Sequence, residues 1–433
     1  MQTLFTNATL LTDTDSDPIP HSYLVTQGEH IQATGSMDEL DPVPDTTTID
    51  CNGKLLMPGL VNGHNHCAMT LFRGLADDLP LEAWLHDHIF PAEATHANPE
   101  TVYWCTRLAA AEMILSGTTC VADAYFFSSE AARALSECGM RAVVGHGIVD
   151  FPAPSVPDPK KNIEAVALFL DKWQETNSLI TPAVFAHAPY TCSPDTLRRA
   201  KELADKQGVR FFTHLAESRL EKEMIIGLRG DSPLQHLHEL NILDENCTLI
   251  HMVWLSDRDI RLLAGTGSAV ITCPQSNLKL GSGIAPIQKL MNHNIGVGIG
   301  TDGCASNNGL DMFREIGMLA RLHKLKTLDA TSLPARQVLR AATAGGANAL
   351  GVAKVGKLKT GYKADIIVID TDCPHLTPFY SPDLLAYAGS GGDVYSAMIN
   401  GQLVMHERKI LSFDLHETLD KVRTIAETVT KQG

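Results

Sequence analysis

From Leu55 onward the chain repeats one pattern: a short apolar run, a polar residue at its C-terminal end, then a stretch of helical character. The runs are LLMPGLVNGHNH, TTCVADAYFF, RAVVGHGIVD, TPAVFAHAPY, VRFFTHLAE, CTLIHMVWL, SAVITCPQS and IGVGIGTDG, eight in all. Unbroken apolar runs separated by helices signal parallel strands buried on both faces. Eight such units are what a (β/α)8 barrel requires. The connecting helices have readable ends. Asn98-Pro99-Glu100 supplies an N-cap, a proline at the first helical position and an early acid, and Gly117 stops the helix after Ser116.

Both flanks have a different rhythm. Residues 2–54 alternate polar and apolar and reach a turn at Asn52-Gly53. Ala364 to Asp370 and then YSAMINGQLVMHERKI, with a hairpin turn at Asn400-Gly401, repeat that character. The expected fold is α/β: a (β/α)8 TIM barrel over 58–357, and a small β-sandwich formed from both chain termini, 1–57 plus 358–433, ending in a polar helix over Phe413 to Thr430. Between the first and second barrel strands lies a longer insertion, Phe72 to Pro99, rich in acids and aromatics. A connection of that size on the strand-end face is expected in the substrate pocket.

The first barrel run ends in His64-Asn65-His66. On an extended strand residues i and i+2 point the same way, so these two imidazoles can share one metal ion. His86-Asp87-His88 and His236-Leu237-His238 have the same spacing but fall in stretches that read as helix, Pro80 to Ile89 and Pro233 to Leu240. There i and i+2 diverge around the axis, and these pairs read as surface or packing histidines. Catalysis on a barrel is expected at the C-terminal ends of its strands. Those ends carry His64 and His66, Asp123, His146, His187, His214, His251, Ser276 and Asp302. A lone histidine after an apolar run is more often a hydrogen-bonded core residue than a ligand. Several at equivalent positions would converge on one barrel mouth, and burying so many imidazoles without a task is costly. Asp123 and Ser276 read as structural, and His146 receives no role.

Composition narrows the partners. The chain has 433 residues, 44% hydrophobic and 20% charged, enough for a large core. Lys and Arg total 35 against 50 Asp and Glu, a formal charge of −15, with no basic run. This disfavours a nucleic-acid backbone as partner. Met1 to Pro20 lacks a basic start and an apolar core of signal-peptide length, and no apolar stretch is long enough for a bilayer span. The ten cysteines are scattered without a CxxC pair, a pattern that suits reduced thiols in cytoplasm.

PGLVNGHNH at the first strand, HLAES at the fifth, His251 at the sixth, GTDGCASNN at the eighth and the return Gly361 to Asp370 resemble the amidohydrolase superfamily over nearly the whole chain. Within it, MTLFRGLADDLPLEAWL, HAPYTCS and CPQSNLKLGSG are similar to the 5′-methylthioadenosine/S-adenosylhomocysteine deaminases. Triazine hydrolases and guanine deaminases share much of this pattern. The resemblance implies one divalent metal ion held by His64, His66, His214 and Asp302, zinc first and ferrous iron as the alternative. Binuclear members carry a carboxylated lysine at the end of the fourth strand, where this chain has Ala186-His187. An open coordination position would hold a water whose pKa is lowered to about 7.

The same resemblance assigns the chemistry. Attack at carbon 6 of adenine places negative charge on the neighbouring ring nitrogen, so an acid must sit beside it. Glu217, three residues after His214, is the candidate. Asp302 would take a proton from the attacking water, and His251 would orient that water and stabilise the tetrahedral centre. Glu93 would accept hydrogen bonds from the ribose hydroxyls and His187 would contact the nucleoside. Family members that accept S-adenosylhomocysteine bind its carboxylate with arginines. After the third strand this chain has Gly145-His146-Gly147, and the loop Phe151 to Lys161 offers only Lys160 and Lys161. Neither a neutral His nor a flexible Lys replaces a bidentate guanidinium.

The expected activity is hydrolytic deamination of 5′-methylthioadenosine, with adenosine as a further substrate and S-adenosylhomocysteine disfavoured. The implied partner is a small nucleoside, and a homo-oligomer stays open. Alternatives are a triazine hydrolase or a guanine-type deaminase on the same scaffold, or a non-catalytic scaffold. The four intact ligand positions oppose the last. A cytidine-type zinc deaminase is disfavoured because H-x-E…P-C-x-x-C is missing.

Overall fold

In the computed structural model, which describes residues 2–430, the alternating N-terminal flank forms β1 (Gln2–Leu10), β2 (Ile19–Gln27), β3 (His30–Ser36), β4 (Thr47–Asp50) and β5 (Leu55–Pro58). The barrel follows with β6 (Leu60–Asn65), β7 (Thr118–Tyr125), β8 (Arg141–Ile148), β9 (Ile180–Ala186), β10 (Phe211–Leu215), β11 (Cys247–His251), β12 (Ala269–Thr272) and β13 (Val297–Ile299). The C-terminal flank adds β14 (Ile366–Ile369), β15 (Val394–Ile399), β16 (Gln402–His406) and β17 (Lys409–Ile410). Each of the eight apolar runs contributes one strand to an eight-stranded sheet whose neighbours run parallel in sequence order.

One run divides. Leu55 and Leu56 pair with β1 and with β14, whereas Leu60 begins the barrel opposite Thr118. LLMPGLVNGHNH is therefore two strands in two sheets. Every residue from Leu55 to Leu60 is buried, so hydrophobicity alone carries no mark of the step. The step falls at Gly59, where a Cβ would collide with the Thr119 side chain.

The barrel closes between its last and first strands. The Asp302 N–H donates to the His64 carbonyl at 2.9 Å, and the Thr301 N–H donates to Asn62 Oδ1 at 3.0 Å. Gly300 makes that approach feasible, since a Cβ there would stand 2.6 Å from the His64 nitrogen. Val61, Val143, Phe185, Phe212, Ile250 and Ile271 fill the interior, so the barrel is a packed core with its chemistry at the rim.

The terminal strands form one nine-stranded sheet, ordered β17-β16-β15-β14-β5-β1-β2-β3 with β4 on β1. It curls until His30 bridges Lys363, enclosing Phe5, Leu10, Leu24, Ile31, Leu56 and Ile366. Both chain ends thus share a core, as a sandwich built from the termini requires. A buried ion pair fixes it to the barrel: Arg141 at the start of β8 donates to Asp365 at 2.6 and 3.0 Å and to Asn400 Oδ1 at 2.7 Å. The final helix, Leu415–Thr430, lies along helix Pro99–Leu115, with the Arg107 guanidinium 5.0 Å from the Phe413 ring centre. Among the described residues no helix is long and apolar enough to cross a membrane. All ten cysteines are free thiols.

Candidate metal centre and active site

Three of the strand-end histidines meet. His64 lies within β6, His66 follows its last residue, and His214 lies in β10. Their ligand atoms fall within 4.8 Å of one another. Each ring is aimed by its other neighbours. His66 Nδ1 donates to the Ala124 carbonyl at 2.5 Å and His214 Nδ1 donates to the His187 carbonyl at 2.9 Å. This leaves both Nε2 atoms as lone-pair donors, the arrangement that orients metal-binding imidazoles. His214 Nε2 and His64 Nε2 stand 3.1 Å apart. Burial lowers the His64 pKa to about 4 and takes His214 well below its ordinary value, so both are neutral near pH 7.

Asp302, just past β13, completes the set. Its Oδ1 is 3.5 Å from His64 Nε2 and 3.4 Å from His66 Nε2. Burial alone would raise its pKa, but the hydrogen bond and charge of His64, with His66 and His251 beside it, hold it well below the usual range. The carboxylate is fixed by the hydroxyls of Ser276 and Ser306, which donate to Oδ2 at 2.7 and 2.9 Å, and by the Gly303 N–H, which donates to Oδ1 at 2.7 Å. Asp302 also holds a φ of +61°, and His251 a φ of +74°. Non-glycine residues in this left-handed region carry strain of about 1–3 kcal/mol and concentrate at functional sites. Three imidazoles and one ionised carboxylate around a common point fit a divalent transition-metal ion.

A carboxyl–imidazole pair borders the centre. Glu217 Oε2 lies 3.7 Å from His251 Nε2, and the Ser282 hydroxyl donates to Glu217 Oε1 at 3.4 Å. Burial raises the Glu217 pKa, and the nearby Asp302 charge adds to the rise against the opposing pull of His251. His251 Nδ1 donates to Asn277 Oδ1 at 2.9 Å, which turns Nε2 toward Glu217. Glu221 accepts from the backbone N–H groups of Ala216 and Glu217 at 2.9 and 2.8 Å and so fixes the loop that carries Glu217.

These groups open into a cavity whose floor includes His66, His214, Glu217, His251 and Asp302. The insertion expected in the pocket supplies one wall: it is helical from Leu81 to His96 and presents Leu81, Trp84, Leu85, Phe90 and Glu93. Glu93 is buried, which raises its pKa to about 7 against the weaker opposing influence of Tyr125. The buried Tyr125 hydroxyl faces the Glu93 carboxyl group. Across the cavity His187 Nδ1 donates to Thr191 Oγ1 at 2.8 Å, and burial lowers its pKa to about 3. Gly147, Val149 and Phe151 form the rim beyond the third strand, and no Lys or Arg lines the cavity among the described residues.

Other strand-end residues lie elsewhere. His146 is turned away from the cavity, and its Nδ1 pairs with the Ser128 hydroxyl at 2.7 Å. Asp123 accepts from the Cys67 N–H at 2.7 Å behind the metal centre. His86 and His88 are exposed on the inserted helical stretch, and His236 and His238 lie on helix Pro233–Glu239. Ser276, read from sequence as structural, holds Asp302. Asn277, Ser306, Tyr125 and Glu221 escaped sequence reading altogether. Ser276 and Asn277 adjoin within CPQSNLKLGSG at the end of β12, and that location was their only signal.

Comparison with known proteins agrees with this geometry. The amidohydrolase family model matches residues 55–404. A 5-methylthioadenosine/S-adenosylhomocysteine deaminase of Syntrophobacter fumaroxidans is 46% identical over 413 residues, 95% of this chain and 94% of that protein. A 5′-deoxyadenosine deaminase of Methanosarcina mazei is 42% identical over 88% of each chain. The crystal structure of an adenosine deaminase from Xanthomonas campestris with bound zinc superposes with a TM-score of 0.96 at 34% identity, covering 99% of this chain and 98% of the other.

Proposed function

Because the chain belongs to the amidohydrolase family, we propose that it hydrolyses the 6-amino group from the adenine ring of 5′-methylthioadenosine, releasing ammonia and the inosine analogue. The observation that carries this reading is one cavity that joins a three-histidine, one-aspartate centre to two carboxyl groups, part-buried Glu217 on the floor and buried Glu93 on the wall. His64, His66, His214 and Asp302 would hold one divalent ion, zinc first and ferrous iron as the alternative, which acts as a Lewis acid and brings the pKa of a water to about 7. Zinc is the ion in the similar adenosine deaminase.

The side chains divide the remaining work. Glu217, whose pKa burial raises, delivers a proton to the ring nitrogen next to carbon 6 as the water oxygen bonds that carbon. Asp302, ionised and held by Ser276 and Ser306, takes a proton from the water. His251 Nε2, aimed by Asn277, orients the attacking oxygen and stabilises the tetrahedral centre. Glu217 then recovers a proton from the new carbon-6 hydroxyl, Asp302 passes its proton to the departing amino group, and the carbon–nitrogen bond breaks to release ammonia and leave the 6-oxo ring with both carboxyl groups restored.

Glu93 would accept both ribose hydroxyls, a bidentate role suited to a carboxylate, while His187 contacts the nucleoside from the opposite side. Among the cavity-lining residues no cation awaits an amino-acid carboxylate, and Val149 and Phe151 suit a short apolar 5′ substituent. Methylthioadenosine and adenosine are therefore the favoured substrates over S-adenosylhomocysteine. The two curated relatives and the zinc-bound structure described above are adenosine-type deaminases by name, which supports a nucleoside over a bare ring. The test is ammonia release across methylthioadenosine, adenosine, adenosylhomocysteine, guanine and a chlorotriazine. The highest kcat/KM is expected on methylthioadenosine. A clear advantage for adenosylhomocysteine overturns the preference, and turnover of guanine or triazine alone overturns the nucleoside reading.

A further inference from the structure

We propose that Cys373, His375 and Asp393 form a second, structural metal site for zinc or a similar thiophilic divalent ion, on the far side of the molecule from the catalytic mouth. Cys373 and His375 lie in the turn after β14, and Asp393 immediately precedes β15. Their ligand atoms lie within 4.8 Å of one another. Cys373 Sγ stands 3.7 Å from His375 Nε2, and Asp393 Oδ1 stands 3.0 Å from the same nitrogen.

The shared nitrogen is informative. A nucleophilic relay places the thiol and the carboxylate on opposite ring nitrogens of the histidine. Here both crowd Nε2, so the three donor atoms surround one point in space. The spacing also matches. Tetrahedral zinc with sulfur at about 2.3 Å and nitrogen or oxygen at about 2.0–2.1 Å places sulfur about 3.6 Å from nitrogen and nitrogen about 3.3 Å from oxygen.

The site is built on ordered structure. Asp393 is buried, and its Oδ2 accepts the Ser390 N–H at 2.8 Å, which leaves Oδ1 turned to His375. The Asp370 N–H donates to the Asp393 carbonyl at 2.8 Å, tying the turn to β15. His375 is half exposed, which gives an ion access from solvent. Cys373 is the one cysteine that is not buried. Burial and the charges of Asp393, Asp370 and Asp372 raise its thiol pKa. The same carboxylates draw a dication, whose binding releases the thiol proton to solvent. The site is remote from catalysis: Val394 packs against Gly117, which precedes β7 at the end of the barrel opposite the active site.

Cobalt(II) separates the two sites, because the catalytic ligand set contains no sulfur. Holoenzyme loaded with cobalt is expected to carry a second ion per chain and to show thiolate-to-cobalt charge-transfer absorption. Cys373→Ser and His375→Ala should each lose that absorption and the second ion while ammonia release from methylthioadenosine is unchanged. In zinc the same variants should lose a metal-dependent rise in Tm seen in the parent. A single cobalt ion per chain without the charge-transfer band, or a band that survives Cys373→Ser, overturns the proposal.

Discussion

A carboxyl group that hands a proton to a ring nitrogen is helped by a raised pKa, and burial, with the Asp302 charge beside it, raises that of Glu217. Replacing it with the isosteric amide preserves shape and removes the transferable proton. Glu217→Gln is expected to lower kcat on methylthioadenosine by about 10²–10⁴-fold with a far smaller change in KM. Steady-state kinetics decides this, and a raised KM with unchanged kcat contradicts the role. Glu93 makes a separate prediction. Its pKa of about 7 means that acid converts it from a two-oxygen acceptor to a protonated acid. KM for nucleosides should therefore rise as pH falls through about 7, and Glu93→Gln should abolish that dependence. A parent KM that is flat across this range removes Glu93 from ribose binding. Strand ends marked His64, His66, His214 and Asp302 as candidates in sequence, but marked His146 and Asp123 equally, and the family resemblance was what set the four apart. The roles of Ser276 and Asn277 were not legible, because a residue that aims another is identified only by where its side chain points.

At the scale of elements, the closure of β13 onto β6 brings Asp302 to His64, and Gly300 is the residue that permits it. A methyl group at Gly300 would push the two strands apart next to both ligands. Gly300→Ala is expected to retain metal less well on dialysis and to melt lower, whereas unchanged metal retention would show that the closure is not what positions the ligands. The inserted stretch Leu81–His96 follows the same logic: its length and aromatic content marked it as part of the pocket, and it supplies Trp84, Phe90 and Glu93 to one wall. The split of the first apolar run at Gly59 was hidden because every residue from Leu55 to Leu60 is buried, and Leu55 and Met57 before the step share a core with Leu60 after it. Burial on both faces erases the alternation that distinguishes one sheet from another.

At the scale of the whole molecule, a barrel carrying the chemistry is joined to a sheet that gathers both chain ends. Alternating barrel runs and alternating flanks made that division readable without coordinates. The joint itself was not readable, because Arg141 and Asp365 lie far apart in sequence and meet only in the folded chain. Asp365→Ala would leave the Arg141 guanidinium buried without its carboxylate, at an expected cost of about 3–5 kcal/mol in denaturant unfolding. A loss below about 1 kcal/mol, the size of an exposed pair, would mean that water reaches the joint. The proposed deamination requires one ion held by His64, His66, His214 and Asp302. Its most direct test is ammonia release from methylthioadenosine measured alongside metal content as the protein is stripped and zinc is returned. Activity is predicted to vanish with the metal and to recover with zinc, and full turnover by the rigorously demetallated protein would contradict it.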